Sequence, residues 1–214
     1  NSVVKDSRQA LHFPFLGQSG MMNPMENKAQ KIILVTGGAG FIGSNLIEKL
    51  VQDKQNDVYS LDNYFTGKKE NHIHGATYIE GHTKDIATLV DFIPDLVFHL
   101  GEYSRVEQSF SDMSIVWEYN KDGTFAVLEF CRKHNTKVVY AGSSTKFGDG
   151  GLGRDQSPYA WTKATNTELV RNYGEWFKLP YAITYFYNVY GPREISEGTY
   201  ATLIALFKEK FKKH

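Results

Sequence analysis

The sequence predicts an α/β protein, a doubly wound parallel sheet with helices on both faces. Three observations predict it. Apolar, β-branched runs alternate with amphipathic helical stretches from Lys31 onward, a glycine-rich turn follows the first run, and an acid closes the second. The first run is Ile32-Ile33-Leu34-Val35-Thr36, and it leads into Gly37-Gly38-Ala39-Gly40-Phe41-Ile42-Gly43. Such a strand–turn–helix aims backbone N–H groups at a point where a pyrophosphate can sit. Gly37 permits the tight turn, Gly40 removes a Cβ where a dinucleotide approaches the backbone, and Gly43 lets the helix pack close to the strand. This is the Rossmann-like arrangement, here spaced Gly-x-x-Gly-x-x-Gly.

The helix opens near Phe41 and carries Ile42, Leu46, Ile47 and Leu50 on one face. The second strand, Asp57-Val58-Tyr59-Ser60-Leu61, delivers Asp62 at its carboxyl end. An acid there accepts from both adenosine ribose hydroxyls and repels a 2′-phosphate, which favours NAD over NADP; Lys68 and Lys69 weaken that preference slightly. The competing reading is a plain turn with Asp62 as an ordinary turn acid. The strand before, the helix after and the acid beyond make it the weaker one.

A polar turn from Thr66 to Glu70 precedes a short strand at 76–80 and a helix over about 84–92. Asp95 to Leu100 reads as a buried strand, in which His99 is a satisfied core histidine. A long helix covers about 112–134, with Val116, Tyr119, Phe125, Val127, Leu128 and Phe130 reading as core. Lys137 to Ala141 is the next strand, about 159–177 a second long helix, and Tyr181 to Phe186 the last clear strand; a helix follows around 203–211. His72, His74 and His82 read as a polar connection rather than a metal site, and no metal is expected.

The bulk properties narrow the class. The chain has 214 residues, enough for one large domain or one and a half small ones, a formal net charge of zero and 41% hydrophobic residues, enough for a real core. Balanced charge gives no support for nucleic-acid or membrane attraction, and no apolar run approaches the ~20 residues that span a bilayer. The single Cys131 excludes an internal disulfide and a multi-cysteine metal site. These facts fit a soluble cytoplasmic protein. Residues 1–30 begin at Asn1 rather than Met and lack clean periodicity, so they read as a tag-like or mobile extension. An arm packing Leu11, Phe13, Phe15 and Leu16 on a neighbour is the alternative. Residues 31–190 read as the NAD-binding Rossmann domain, and 191–214 as the start of a truncated substrate-binding region.

Tyr159-Ala160-Trp161-Thr162-Lys163 places a tyrosine and a lysine on one helix face. Free tyrosine, with a pKa near ~10, is a poor base at neutral pH. A neighbouring ammonium and an oxidised nicotinamide both stabilise phenolate, so the pair can act as acid and base in alcohol oxidation. The spacing is common by chance, and a surface pair is the bland alternative. Its place after the fifth strand sharpens it, as does the cluster Ser143-Ser144-Thr145 at that strand's carboxyl end. A hydroxyl there can hydrogen-bond the reacting oxygen while Tyr159 takes its proton.

In their order, Thr36 to Gly43, Asp62-Asn63, Asp85-Ile86, His99-Leu100, Asn120, Ser143 to Gly148, Tyr159 to Lys163, and Asn188-Val189-Tyr190-Gly191-Pro192-Arg193 resemble the extended short-chain dehydrogenase/reductases. The chain looks most like their nucleotide-sugar epimerase/dehydratase branch, near the UDP-glucose 4-epimerases, from about residue 31 to 210. The resemblance implies that Gly37, Gly40, Phe41, Ile42 and Gly43 cradle the NAD pyrophosphate. It puts Asp62, Asn63 and Thr66 at the adenosine ribose, Asp85 and Ile86 at adenine, and Leu100 and Gly101 along the cofactor. Asn120 would sit near the active-site lysine, and Lys163 on the nicotinamide ribose. Ser143 and Tyr159 would act on the sugar hydroxyl with Ser144 close by, and Tyr187 and Asn188 would lie by the nicotinamide and the substrate phosphates. A nucleotide-sugar substrate and a homodimer through the two long helices are implied as well. Asn120 satisfying a helix neighbour, and Asp85 capping the helix near Ile86, are the plain alternatives.

The chain departs from that pattern in three places. Leu100-Gly101-Glu102-Tyr103 replaces small alanines, so that Glu102 binds a sugar hydroxyl or points to solvent. The segment from Ser143 to Tyr159 is short, and its Gly148-Asp149-Gly150-Gly151-Leu152-Gly153 reads as flexible. The chain stops soon after the helix at 203–211, where family members continue for roughly another hundred residues. It therefore reads as the cofactor domain of a longer enzyme, with the small substrate domain mostly absent, or as a short member. A 4-epimerase is the favoured reaction. A dehydratase needs carboxylates directly after the catalytic hydroxyl, where Ser144 and Thr145 stand. A reductase, a decarboxylase or a non-catalytic NAD-binding protein shares the core.

Overall fold

A computed structural model describes residues 30–212, so the extension expected over 1–30 lies, but for Gln30, outside the described residues. Six strands form one parallel sheet: β1 (Lys31–Thr36), β2 (Asn56–Asp62), β3 (Ala76–Glu80), β4 (Leu96–His99), β5 (Lys137–Ser143) and β6 (Tyr181–Phe186). Their order across the sheet is β3-β2-β1-β4-β5-β6. The chain therefore leaves in opposite directions from the β1/β4 boundary, and a crevice opens at the carboxyl ends there.

Alternation along β1 sorts its side chains between two cores. Leu34 joins Leu61, Val97, Leu128, Tyr140 and Val170 on one face, while Ile33 and Val35 join Ile47 and Val58 on the other. The first face is covered by α2 (Ile86–Leu89), α4 (Gly123–His134) and α5 (Pro158–Phe177), and the second by α1 (Phe41–Leu50). Each fully buried aliphatic side chain contributes about 1.5–3 kcal/mol by leaving water. These two layers thus fix the strand ends that carry the site.

Helix boundaries follow local chemistry. Ser157 caps α5, its hydroxyl accepting from the Ala160 N–H at 3.0 Å, and Pro158 occupies the first turn. Left-handed Lys178 and Asn135 end α5 and α4. The helix expected over 84–92 is shorter than its pattern: a 3-10 turn at Thr83–Asp85 leads into α2, which stops at Leu89. Phe92 instead turns back onto Tyr59, with ring centroids 4.1 Å apart, and Pro94 disfavours helix at the residue before it. His82, not Asp85, caps this turn by accepting from the Lys84 N–H at 3.0 Å. The helix expected over 112–134 is divided into α3 (Met113–Val116), a π-helical stretch (Trp117–Asp122) and α4. The glycine-rich segment after β5 is not slack. It forms 3-10 turns at Ser144–Phe147 and Asp149–Asp155, and the Gly148 carbonyl accepts from Gly151 and Gly153. The last helix is α6 (Leu203–Lys212). Among the described residues no helix is long and apolar enough to cross a membrane.

Candidate active site

A cavity of about 600 Å³ occupies the crevice at the strand ends. The glycine turn forms one wall, with Gly37, Gly40, Phe41, Ile42 and Gly43 all facing it. Gly37 sits at φ +71°, and a Cβ there would lie 2.8 Å from the Gly101 backbone, so no other residue fits without moving the β4 loop. A Cβ on Gly43 would lie 2.1 Å from the Gly37 carbonyl oxygen, which is the close helix–strand approach that the motif requires. Gly40 is less constrained: its φ is an ordinary −77°, and a Cβ would be 3.2 Å from the nearest atom.

Asp62, Asn63 and Thr66 line the adjoining end. The Asp62 carboxylate accepts from the Ala39 N–H at 2.9 Å and the Tyr64 N–H at 2.8 Å, which fixes it at the mouth of the glycine turn. Burial lifts its pKa above the usual carboxylate value, with those N–H groups opposing. Asp85 and Ile86 do not reach the cavity: Asp85 is exposed, and Ile86 is fully buried in the core. His82 and Thr83 line the wall instead.

Leu100, Gly101, Ser143, Ser144, Tyr159, Lys163, Tyr187 and Asn188 converge on the same cavity from β4, β5, α5 and β6. Ser143 Oγ accepts from the Thr145 hydroxyl at 3.0 Å and the Thr145 N–H at 3.3 Å, so its own proton stays available to a ligand oxygen. Tyr159 stands half-buried, one helical turn before Lys163.

Lys163 has a partner that sequence reasoning missed. Its ammonium donates to the Glu102 carboxylate and to the Ala141 carbonyl, and the ion pair is buried, with the side chains 6% and 3% exposed. Glu102 therefore neither points to solvent nor stands free for a sugar. Its Oε1 also accepts from the Thr124 hydroxyl at 2.9 Å, Asn166 Nδ2 at 3.0 Å and the Tyr140 hydroxyl at 3.1 Å. Burial pushes the Glu102 carboxyl up, but the Lys163 ammonium and these donors outweigh it and keep it below the ordinary carboxylate range.

The network continues to β1. Thr36 Oγ1 accepts from the Leu100 and Gly101 N–H groups, so its proton goes to His99 Nδ1 at 2.8 Å. His99 Nε2 then donates to Thr124 Oγ1 at 3.0 Å, and Thr124 donates onward to Glu102. His99 is thus a satisfied, neutral core histidine, its pKa driven down to about 4 by burial. Asn120 does not line the cavity. It is fully buried, and its amide accepts from the Tyr103 N–H at 2.7 Å and donates to Tyr103 O and Thr162 Oγ1. This is the plain alternative, a neighbour satisfied across helices, and it holds the loop that carries Glu102.

Arg105, Glu194 and Thr202 also line the cavity without having been singled out from sequence. The Arg105 guanidinium is anchored by donating twice to the Tyr200 carbonyl. For Asn166 a signal existed: it lies three residues after Lys163, on the same helix face. Thr124, Arg105 and Glu194 carried none, because their neighbours come from distant parts of the chain.

The profile of the NAD dependent epimerase/dehydratase family matches residues 33–214. The putative UDP-glucose 4-epimerase of Methanocaldococcus jannaschii is 33% identical over 196 residues, covering 86% of this chain and 64% of that protein. The UDP-N-acetyl-alpha-D-glucosaminuronate decarboxylase of Bacillus cytotoxicus is 31% identical over 196 residues, covering 83% and 60%. The crystal structure of the Thermus thermophilus UDP-glucose 4-epimerase complex with NAD matches with a TM-score of 0.75 at 31% identity, covering 85% and 63%. The chain spans 60% to 64% of the length of these relatives.

Proposed function

The chain belongs to the NAD-dependent epimerase/dehydratase family, and from that premise we propose that it forms the cofactor-binding and proton-transferring part of a nucleotide-sugar 4-epimerase. The substrate is a UDP-hexose or UDP-N-acetylhexosamine, and the path runs through a transient 4-keto sugar. The observation that carries this reading is the convergence of Ser143, Tyr159 and Lys163 with the glycine turn and Asp62 on one cavity.

The residues present fit NAD. The turn offers N–H groups without side chains in the way, and Asp62, held by two backbone donors, keeps lone pairs for ribose hydroxyls. NAD, when bound, supplies the hydride acceptor and donor for C4 of the sugar. Lys163 would hold the nicotinamide ribose and tune the Tyr159 phenol. Tyr159 takes the C4 hydroxyl proton and returns it, while the Ser143 hydroxyl donates to the same sugar oxygen. Ser144, Tyr187 and Asn188 line the same cavity, where Ser144 would stand beside that oxygen and Tyr187 and Asn188 would contact the nicotinamide and the substrate phosphates. Elimination of water needs a further acid and base after the catalytic hydroxyl; Ser144 and Thr145, which line the cavity there, supply neither. The same reading includes a homodimer.

Tyr159→Phe tests the assignment directly. In the full chain, incubated with UDP-glucose or UDP-N-acetylglucosamine and no added NAD, the variant should lose 4-epimer formation by at least a thousandfold while retaining NAD. Unchanged turnover would remove Tyr159 from the chemistry, and absence of any product from the parent protein would favour a non-catalytic NAD-binding role.

A further inference from the structure

We propose that Glu102 is a positioning residue for Lys163, fixing the ammonium in place and offsetting its charge, so that the proton affinity of Tyr159 is set by a neutral pair rather than by a free cation. The inference deepens the proposed function and rests on its assignment of Tyr159 as the proton-transferring group.

The geometry carries it. Lys163 has three N–H donors. One goes to Glu102 and one to the Ala141 carbonyl, which leaves a single donor for the cavity. The ammonium also sits 4.6 Å from the Tyr140 ring centroid, so an aromatic face and a carbonyl flank it. Glu102 is itself held by donors from three further side chains: Thr124 of α4, Tyr140 of β5 and Asn166 of α5. A carboxylate that receives four donors while buried is rigid and stays ionised. Its charge acts on whatever the Lys163 charge acts on, with opposite sign. An ammonium alone favours phenolate at a neighbouring tyrosine; an ammonium tied to a carboxylate favours it much less.

Other charged groups face this pair and must be held constant in any test. His99 of β4, Lys121 of the π-helical stretch and Tyr140 of β5 surround Glu102. Arg105 of the same loop and Tyr140 face Tyr159. None is altered in the variants below.

The measurement is the titration of the Tyr159 phenol in the full chain with NAD bound. It is read as ultraviolet difference absorbance of phenolate, with the corresponding Tyr159→Phe protein as the blank. Glu102→Gln removes the charge at nearly constant shape and should lower the Tyr159 titration midpoint by about one pH unit. Glu102→Asp retains the charge and should keep the midpoint within a few tenths of a unit of the parent. A cooperatively melting Glu102→Gln protein with an unmoved midpoint would overturn the proposal. If that variant does not fold, the double variant Glu102→Gln/Lys163→Gln removes the pair as a neutral unit. Its midpoint should stay near that of the parent, and a rise of more than one unit would show that the lysine charge had been felt uncompensated. Sugar turnover is measured alongside. A shifted midpoint without any epimerisation sinks the 4-epimerase reaction and leaves the control of the Tyr159 phenol by Glu102 and Lys163 standing, and epimerisation with an unmoved midpoint does the reverse.

Discussion

His99 sits in the middle of the polar chain from Thr36 to Glu102, and its titration couples that chain to folding. Its pKa falls from 6.5 to about 4 in the folded protein, because burial penalises the imidazolium and both ring nitrogens already have partners. Between those two values the unfolded chain binds a proton that the folded chain refuses. Stability from this residue is therefore complete above the unfolded pKa and is lost as pH falls toward the folded one, at up to ~1.4 kcal/mol per pH unit. Urea unfolding of the parent and of His99→Asn at a series of pH values should show this component in the parent and its absence in the variant. Parallel pH dependences in the two proteins would mean that His99 is not the neutral bridge described.

At the level of elements, the strands were legible from sequence and the helix ends less so. A buried parallel strand is a continuous apolar run, and β1, β2 and β5 contain every residue their patterns named. α2 ended early because Phe92 and Pro94 act through tertiary packing and backbone sterics that a periodic pattern does not record. The π-helical stretch went unseen for a similar reason: its extra residue lets Asn120 face Tyr103 and Thr162 at once, a demand set by two other elements. Most of the cavity was readable because glycine turn, ribose acid and tyrosine–lysine pair are local motifs. The role of Glu102 was not, since its partners lie 22 to 64 residues away. The glycine turn itself makes a sharp prediction. Gly43→Ala puts a methyl group where the Gly37 carbonyl oxygen stands, forcing α1 away from β1. NAD affinity measured by calorimetry should fall at least tenfold while the sheet remains folded by circular dichroism, and parent-like affinity would show that the turn tolerates the displacement.

Across the whole molecule, the strand order places the site and the long helices present a surface opposite the sheet. The cavity lies where β1 meets β4, so the cofactor wall and the proton-transfer wall come from the two halves of one sheet. The outer face of α3, the π-helical stretch, α4 and α5 carries apolar groups that solvent does not favour. Trp117 and Trp161 stack with centroids 6.0 Å apart and remain 43% and 36% exposed; Met113 is exposed on the same group of helices, and so is Phe125, which the sequence pattern puts in the core. Two copies meeting on this face in the proposed homodimer would be related by a two-fold axis, each burying the same patch. Because Trp117 and Trp161 contribute little to the internal core, charge can be introduced there without emptying it. The double variant Trp117→Asp/Trp161→Asp of the full chain should keep the melting temperature of the parent's protomer and sediment as a monomer, with a dimer dissociation constant raised at least a hundredfold. A dimer of undiminished affinity in that variant would place the subunit contact elsewhere.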